Sequence, residues 1–202
     1  MPFPPSSPIE VLLVVDDPVT RTEFAGAVRH DATLHLLEAL GSTREALEFL
    51  ALRAPGILVV DPGLPDGEAI DLVRFTTQRH PGCAITLISM FGDEDEVLAG
   101  IAAGATGFVP KDSTREDIAA HLRMLREGCS PISPLIALAL LSRFGPEPGE
   151  AGRRLSERHR RTLRDLALGY VYREAAARAG TTETEVGRSI NEIYRLARGG
   201  EV

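Results

Sequence analysis

Four consecutive apolar residues, Ile57–Val60, are followed directly by Asp61 and then by turn-forming residues up to Gly67. A short apolar run bounded by glycine and proline predicts a strand that is buried on both faces, as in a parallel sheet. Asp61 would then lie at the carboxyl end of this strand, where open α/β sheets place their ligand sites. A carboxylate there can bind a metal ion, act as a nucleophile, or simply cap or pair locally.

Strand-length apolar runs alternate with helical patterns through the first 127 residues. The predicted strands are Val11–Val15, Leu34–Leu37, Ile57–Val60, Ala84–Ile88 and Thr106–Val109. The helical patterns are Thr20–Val28, a segment starting near Thr43, Ala69–Arg79, Glu94–Ala103, and a last helix capped by Ser113 or Thr114. This alternation predicts an α/β fold: a doubly wound five-stranded parallel sheet with right-handed crossovers.

Residues with reactive side chains follow four of the five predicted strands. Asp16 and Asp17 follow the first strand, Asp61 the third, Ser89 ends the fourth, and Lys111 follows the fifth. Because the carboxyl ends of parallel strands meet at one edge, we expect these side chains to converge. Clustered carboxylates suit Mg²⁺, and Lys111, the only lysine of the chain, would offset the charge of a phosphoryl group.

Charge divides the chain into an acidic front and a basic tail. Residues 1–146 hold 11 basic and 20 acidic residues, whereas 147–202 hold 11 arginines and 9 acidic residues. This asymmetry favours two domains with different partners.

The cysteines and the apolar runs bear on the compartment. Cys83 and Cys129 match no metal or disulfide pattern, and no apolar run approaches the roughly 18 residues of a membrane span. We therefore expect a cytoplasmic protein that does not enter a membrane.

The basic tail has the helix pattern of a small all-α domain. Ser156 would cap its first helix, Arg173–Ala179 forms a short second helix, and Thr182 caps a longer third helix with Glu185 in a capping box. A short helix, a glycine turn and a longer helix are typical of helix-turn-helix geometry.

The front of the chain resembles the receiver domain of bacterial response regulators. The matching segments are Val14–Pro18, Val60–Gly67, Leu87–Ser89 and Gly104–Asp112. The spacings of 28 residues from Asp61 to Ser89 and of 50 residues to Lys111 also agree with that family. The resemblance implies a flavodoxin-like receiver domain at residues 9–127.

The same resemblance implies roles for particular residues. Asp61 would accept a phosphoryl group from a histidine kinase. Asp16 and Asp61, with the backbone carbonyl of Gly63, would hold Mg²⁺. Ser89 and Phe108 would be the switch pair that moves once the phosphoryl group is bound.

Three departures from the family pattern concern this site. A gapless comparison places Asp16 at the second acid of the family and Val15 at the first, whereas a one-residue gap would restore both acids as Asp16 and Asp17. With Val15 at the first position, Mg²⁺ would bind more weakly. Met90 stands where a small residue is usual, and Pro62 removes a backbone donor beside Asp61.

Residues 155–197, within a tail domain at 153–199, resemble the LuxR-type helix-turn-helix; residues 128–152 form a linker with a short helix. The matching segments are Leu155–Arg158, Leu166–Gly169 and Glu174–Val186. Together the two resemblances indicate a two-component response regulator of the NarL/FixJ type. They imply DNA binding through a recognition helix at 183–198, with contacts from Arg173, Arg178, Thr184, Arg188 and Arg195.

The recognition helix departs from its family in ways that predict altered or weakened DNA readout. Gly187-Arg188-Ser189 stands where the family has Lys-x-His. Gly187 lowers helix propensity by about 1 kcal/mol relative to alanine. Glu183 and Glu185 would repel phosphates.

These observations favour a transcription regulator that dimerises on phosphorylation of Asp61. The alternative is a phosphorylation-independent receiver protein that acts through constitutive DNA or protein binding, as Val15 and Met90 suggest.

We expect the chain not to be an enzyme. A phosphatase of the Asp-x-Asp kind would need a second aspartate where Gly63 stands, and no glycine-rich nucleotide loop follows a strand.

Overall fold

The computed structural model describes residues 7–89, 94–145 and 155–199. The strands are β1 (Ile9–Val14), β2 (Leu34–Leu40), β3 (Ile57–Val60), β4 (Ala84–Ser89) and β5 (Gly107–Pro110). The helices are α1 (Pro18–His30), α2 (Thr43–Leu52), α3 (Ala69–Arg79), α4 (Glu94–Ala103), α5 (Arg115–Arg126), α6 (Pro134–Phe144), α7 (Glu157–Ala167), α8 (Tyr172–Ala179) and α9 (Glu183–Ala197).

The five strands form one parallel sheet in the order β2-β1-β3-β4-β5. The predicted doubly wound parallel sheet followed by a helical tail is thus confirmed. The strand order reverses between β1 and β3, and such a switch point is where ligands bind in open α/β sheets. Asp61 follows β3 at this point.

Both faces of the sheet are covered, which explains the continuous apolar sequence of the central strands. Along β3, Leu58 and Val60 enter one apolar cluster with α2, α3 and α4, and Ile57 and Val59 enter another with α1 and α5. Successive side chains of a strand point to opposite faces, so a strand buried on both sides must be apolar at every position.

Most element boundaries agree with the sequence patterns, and β2 differs most. It extends to Leu40, three residues beyond its predicted end. This edge strand is partly exposed from His35 onward, so its later residues lack the apolar pattern of a buried strand. Thr114, one of the two predicted caps, starts α5 in a capping box with Asp117.

The helical tail packs directly on the α/β part. α6 contacts α4 and α7, and α9 also contacts α4. The apolar cluster on the α2–α4 face of the sheet continues without interruption into the tail, where it includes Leu163, Ile190 and Tyr194. Within the described ranges, no helix combines the length and apolarity needed to cross a bilayer.

Candidate functional site

Asp61 and Lys111 meet at the carboxyl edge of the sheet, as their positions after β3 and β5 predict. Lys111 Nζ donates to Asp61 Oδ2 at 3.1 Å. The other carboxylate oxygen, Oδ1, accepts from the backbone N–H of Gly63 at 3.1 Å. The Asp61 backbone N–H donates to the carbonyl of Val14, which fixes the residue beside β1. Only 6% of Asp61 is exposed, so Lys111 is its main compensating charge.

The loop that follows Asp61 is held by Asp66. Its two carboxylate oxygens accept from the backbone N–H groups of Thr43 at 2.7 Å and Arg44 at 3.0 Å, at the start of α2. These bonds from Arg44 and Thr43 hold the pKa of Asp66 below its ordinary value. The sequence patterns did not reveal this cap, because its donors lie more than 20 residues away along the chain.

The two acidic residues after β1 have different environments. Asp17 caps α1: its Oδ2 accepts from the Thr20 hydroxyl at 2.6 Å and from the Thr20 N–H at 2.7 Å. The Thr20 hydroxyl and N–H lower the pKa of Asp17. Asp16 is exposed, while Val15, which precedes it, is fully buried. The cap thus occupies one oxygen of Asp17 and leaves Asp16 as the acid that faces solvent.

The oxygen donors at this edge are of the kind that Mg²⁺ requires. Asp16 and Asp61 follow the adjacent strands β1 and β3, and the carbonyl of Gly63 lies two residues further on. Among the described residues, no group of three or more His, Cys, Asp and Glu side chains forms a metal cage. Magnesium in proteins commonly takes one or two carboxylates and keeps several waters, so a two-carboxylate set fits it.

Phe108, one member of the predicted switch pair, is buried with 4% exposure. Its ring lies edge-on to Tyr194 of α9, with 6.3 Å between ring centroids and an interplanar angle of 83°. A Cβ at Gly100 of α4 would lie 2.4 Å from Leu87 Cδ1 and 3.3 Å from the Phe108 ring, so glycine there leaves room mainly for Leu87. Ser89, the other member, ends β4, but its side chain and all of Met90 lie outside the described residues.

The predicted DNA contacts of the tail fall into three groups. Arg188 and Arg195 are exposed and seven residues apart, hence on one face of α9, and Arg173 is exposed at the start of α8. Arg178 is engaged within the tail: its guanidinium donates to Asp165, and it lies over the ring of Tyr170.

Thr184, the remaining predicted contact, is half-buried, and its backbone lies against the segment that follows α5. Its carbonyl lies 3.6 Å from Cys129 Sγ, within sulfur hydrogen-bond distance. Of the five predicted DNA contacts, the four arginines are exposed, although the Arg178 guanidinium is also engaged within the tail.

Comparison with known proteins shows the family. The sequence profile described as "Response regulator receiver domain" matches residues 11–123. This chain belongs to the response regulator receiver family. The match covers most of β1 and all of the other four strands, and it confirms the resemblance drawn from the residues around Asp61 and Lys111.

Relatives of this response regulator match it along most of its length, including the tail. The "DNA-binding transcriptional activator DevR/DosR" of Mycobacterium tuberculosis is 26% identical over 187 residues, covering 92% of this chain and 86% of that protein. The "Transcriptional regulatory protein UhpA" of Escherichia coli is 28% identical over 179 residues, covering 88% and 86%. These similarities support the assignment to the NarL/FixJ type.

Solved structures of response regulators share the fold. A Salmonella typhimurium RcsB structure has a TM-score of 0.59 at 18% identity and covers 97% of this chain and 94% of that one. The receiver domain of a NarL regulator from Mycobacterium tuberculosis has a TM-score of 0.57 at 21% identity, covering 60% and 98%. The first of these similarities spans the receiver and the tail together.

Proposed function

We propose that Asp61 is the phosphoryl acceptor of this response regulator and that the tail regulates transcription by binding DNA. The ion pair between Lys111 Nζ and Asp61 Oδ2 is the observation that supports Asp61 as the phosphoryl acceptor. It holds a mostly buried carboxylate at the switch point of the sheet, beside the one lysine of the chain. A fixed cation there stabilises the negative charge that a phosphoryl group brings.

The reaction is a direct transfer. A carboxylate oxygen of Asp61 forms a bond to phosphorus while the bond between phosphorus and the histidine nitrogen of the kinase breaks. The nitrogen leaves with the electron pair of that bond, and the product is an acyl phosphate. Lys111 then donates to a phosphoryl oxygen in place of the carboxylate oxygen, which keeps the site compensated as charge accumulates.

Mg²⁺ would be held by Asp16, Asp61 and the carbonyl of Gly63. When bound, it neutralises part of the charge between the carboxylate and the phosphoryl oxygens. With Val15 in place of a further acid, we expect weaker magnesium binding than in a site with three acidic residues.

The macromolecular partners are inferred from the receiver family and from the relatives that match the chain. A histidine kinase is the expected phosphoryl donor, and dimerisation would bring two tails to two half-sites of DNA. The DNA-binding description of DevR/DosR, which matches the tail as well, supports DNA as the target. The contacts proposed on this chain are Arg173, Arg188 and Arg195, which are exposed on α8 and α9; Arg178 is also exposed but is paired with Asp165.

Phosphorylation is tested with acetyl phosphate and Mg²⁺, by intact-mass measurement of wild type, Asp61→Asn and Lys111→Gln. We expect a mass increase of one phosphoryl group in wild type, none in Asp61→Asn, and slower or less stable labelling in Lys111→Gln. Arg74→Gln, a charge removal on the exposed face of α3, is the matched control and should behave like wild type. Equal labelling of wild type and Asp61→Asn would refute Asp61 as acceptor.

DNA binding is tested by salt titration of a DNA retention assay. Arg188→Ala or Arg195→Ala should lower the slope of log K against log[salt] by about 1 for each phosphate that the arginine no longer neutralises, and Arg74→Ala should not. If beryllofluoride with Mg²⁺ leaves both DNA binding and oligomeric state unchanged, the phosphorylation-independent alternative is correct. If no DNA is retained under any condition, the DNA-binding role is wrong.

A further inference from the structure

A cleft of about 390 Å³ lies within the tail, between α7 and the turn that joins α8 to α9. Its lining includes side chains of α7 and α9 and one residue of the turn: Arg158, Arg161, Thr162, Val186, Ser189 and Thr181. Every described residue that lines the cleft belongs to the tail, so the cleft is separate from the site around Asp61. Small-molecule sites commonly have volumes of roughly 300–1,000 Å³, a range that includes this cleft. We call it the tail cleft.

Two hydroxyl groups of the tail cleft lack partners. Thr162 is 7% exposed and Ser189 is 3% exposed. Within the part of the chain that the structure describes, neither hydroxyl makes a hydrogen bond. Thr76 of α3 shows the usual alternative, since its hydroxyl donates to the carbonyl of Leu72 at 2.8 Å. Burial of a hydroxyl without a hydrogen bond costs free energy, and a molecule that bonds to these two groups would recover it.

The rim of the tail cleft carries two guanidinium groups. Arg158 and Arg161 are exposed and three residues apart, hence on one face of α7. Arg161 Nη2 donates to the carbonyl of Arg178 at the end of α8, which holds its guanidinium beside the cleft. Glu157, an acidic residue of the lining, is paired with Arg164 at 3.0 Å between Oε1 and Nη1. The rim therefore favours a negatively charged ligand.

Arg158 can contact such a ligand without breaking a bond. It makes no hydrogen bond or ion pair with another residue of the described ranges. The Thr181 hydroxyl and the Thr182 N–H hold the pKa of Glu185 below its ordinary value, and Arg158 adds a smaller electrostatic contribution. The planar fork of a guanidinium matches two oxygens of a phosphoryl group, so a pair of such forks suits a doubly charged phosphate ester.

The sequence explains why space remains between α7 and α9. Ser189 ends the segment Gly187-Arg188-Ser189, where the helices that this tail resembles have Lys-x-His. A serine side chain is much shorter than a histidine side chain, and the neighbouring lining at Ala179 and Gly180 is also small. The tail cleft thus depends on side chains that are particular to this sequence.

We propose that the tail cleft binds a small phosphorylated molecule. Arg158 and Arg161 hold its phosphoryl group at the rim, and the hydroxyls of Thr162 and Ser189 bond to polar groups of the ligand inside the cleft. Val186, which is buried, supplies an apolar contact. This site requires neither phosphorylation of Asp61 nor DNA.

Binding is tested by isothermal titration calorimetry of the full chain with glycerol 3-phosphate. The chain carries Asp61→Asn and the buffer contains no Mg²⁺, so that the receiver site does not contribute. We expect one molecule per chain and a melting temperature that rises with ligand concentration, because the ligand binds only the folded state. Glycerol, and chloride at equal ionic strength, should have neither effect. Absence of saturable binding up to about 10 mM would overturn the proposal.

The two arginines are tested by removing one charge at a time. Arg158→Gln and Arg161→Gln should each weaken binding by about tenfold or more, because a hydrogen bond between charged groups is lost. Arg143→Gln is the matched control, since Arg143 is an exposed arginine of α6 outside the cleft. Equal binding by all three variants would place the ligand elsewhere and refute the tail cleft as its site.

The hydroxyls give a readout that a purely structural role would not. Thr162→Val keeps the shape of the side chain and removes a hydroxyl that has no partner, so the free protein should melt at the same or a higher temperature. The same variant should bind glycerol 3-phosphate about threefold or more weakly. A lower melting temperature with unchanged binding would contradict the proposal.

Ser189→His fills the tail cleft with the side chain that the resembling helices have. Binding should be lost while circular dichroism shows that the helices remain. Wild-type binding by this folded variant would overturn the proposal. If the variant does not fold, Thr162→Val and the arginine variants decide.

The backbone of DNA is the other source of phosphoryl groups, and a salt titration of DNA retention separates the two. If Arg158→Gln lowers the slope of log K against log[salt] by about 1 while glycerol 3-phosphate does not bind, the cleft contacts DNA and the proposal is wrong. Binding of glycerol 3-phosphate with an unchanged salt slope supports a site for a small molecule. Because calorimetry uses no DNA, its result stands even if the tail retains none.

Discussion

His121 makes the stability of this protein depend on pH. The imidazole on α5 is buried, and its Nε2 lies 2.8 Å from the Thr86 hydroxyl of β4 in a hydrogen bond. Burial lowers the pKa of His121 from an ordinary 6.5 to about 3. Between these two values the folded protein keeps the ring neutral while the unfolded chain binds a proton. The free energy of unfolding therefore falls as the pH is lowered through 6.5. Near pH 3 the folded protein also binds this proton, so His121 causes no further loss below that pH.

The size of the effect follows from the two pKa values. Lowering the pH from 7 to 5 protonates almost all of the unfolded imidazole and almost none of the folded one, which costs about 2 kcal/mol of unfolding free energy. His121→Gln keeps a neutral hydrogen-bonding group beside Thr86 and removes the titration. Other ionisable groups are common to both proteins and cancel in the comparison.

Urea denaturation of wild type and His121→Gln at pH 7, 6 and 5 measures this difference. The wild-type free energy of unfolding should fall by about 2 kcal/mol more than that of the variant between pH 7 and 5. Equal pH dependence in the two proteins would refute the claim that His121 is held neutral.

Three further substitutions test the packing and are measured by the same denaturation at pH 7. Gly104→Ala should lower the free energy of unfolding by about 2 kcal/mol or more, because φ is +128° and the new Cβ would overlap the Thr77 hydroxyl. Its control, Gly82→Ala, should change the free energy of unfolding by less than about 0.5 kcal/mol. Leu72→Ala, at a fully buried position of α3, should cost about 2–5 kcal/mol, and a value below about 1 kcal/mol would contradict its place in the core. Ser156→Ala should cost about 1 kcal/mol by removing the cap that accepts from the His159 N–H, and an unchanged midpoint would show that the cap is replaced.

The sequence predicts that Asp61 and Lys111 meet, because both residues directly follow strands of one parallel sheet. The apolar run of β3 and the residues after each strand place Asp61 and Lys111 at one edge without any knowledge of tertiary contacts. The same reasoning fails where the role of a residue depends on a partner that is distant in the sequence. Gly187 looks like a weak point of a helix until Cys129, 58 residues away in sequence, is seen against it. Asp66 reads as a turn residue, since nothing near it indicates that it caps α2.

The boundaries and buried faces of partly exposed elements are also hard to predict from the sequence. β2 is predicted too short because an edge strand is stabilised by pairing along one side and carries polar residues on its outer face. The tail shows a similar limit: helical spacing identifies the inner face of α9 through Val186 and Ile190, but it does not reveal that Tyr194 packs against Phe108 of the receiver.

The continuous apolar cluster has a thermodynamic consequence. Because the α2–α4 face of the sheet and the tail share one core, the receiver and the tail should melt in a single calorimetric transition while they are docked. Any ligand or substitution that separates them divides that core and exposes part of it. The heat capacity profile would then split into two smaller transitions, so the number of calorimetric peaks reports directly whether the two parts are coupled.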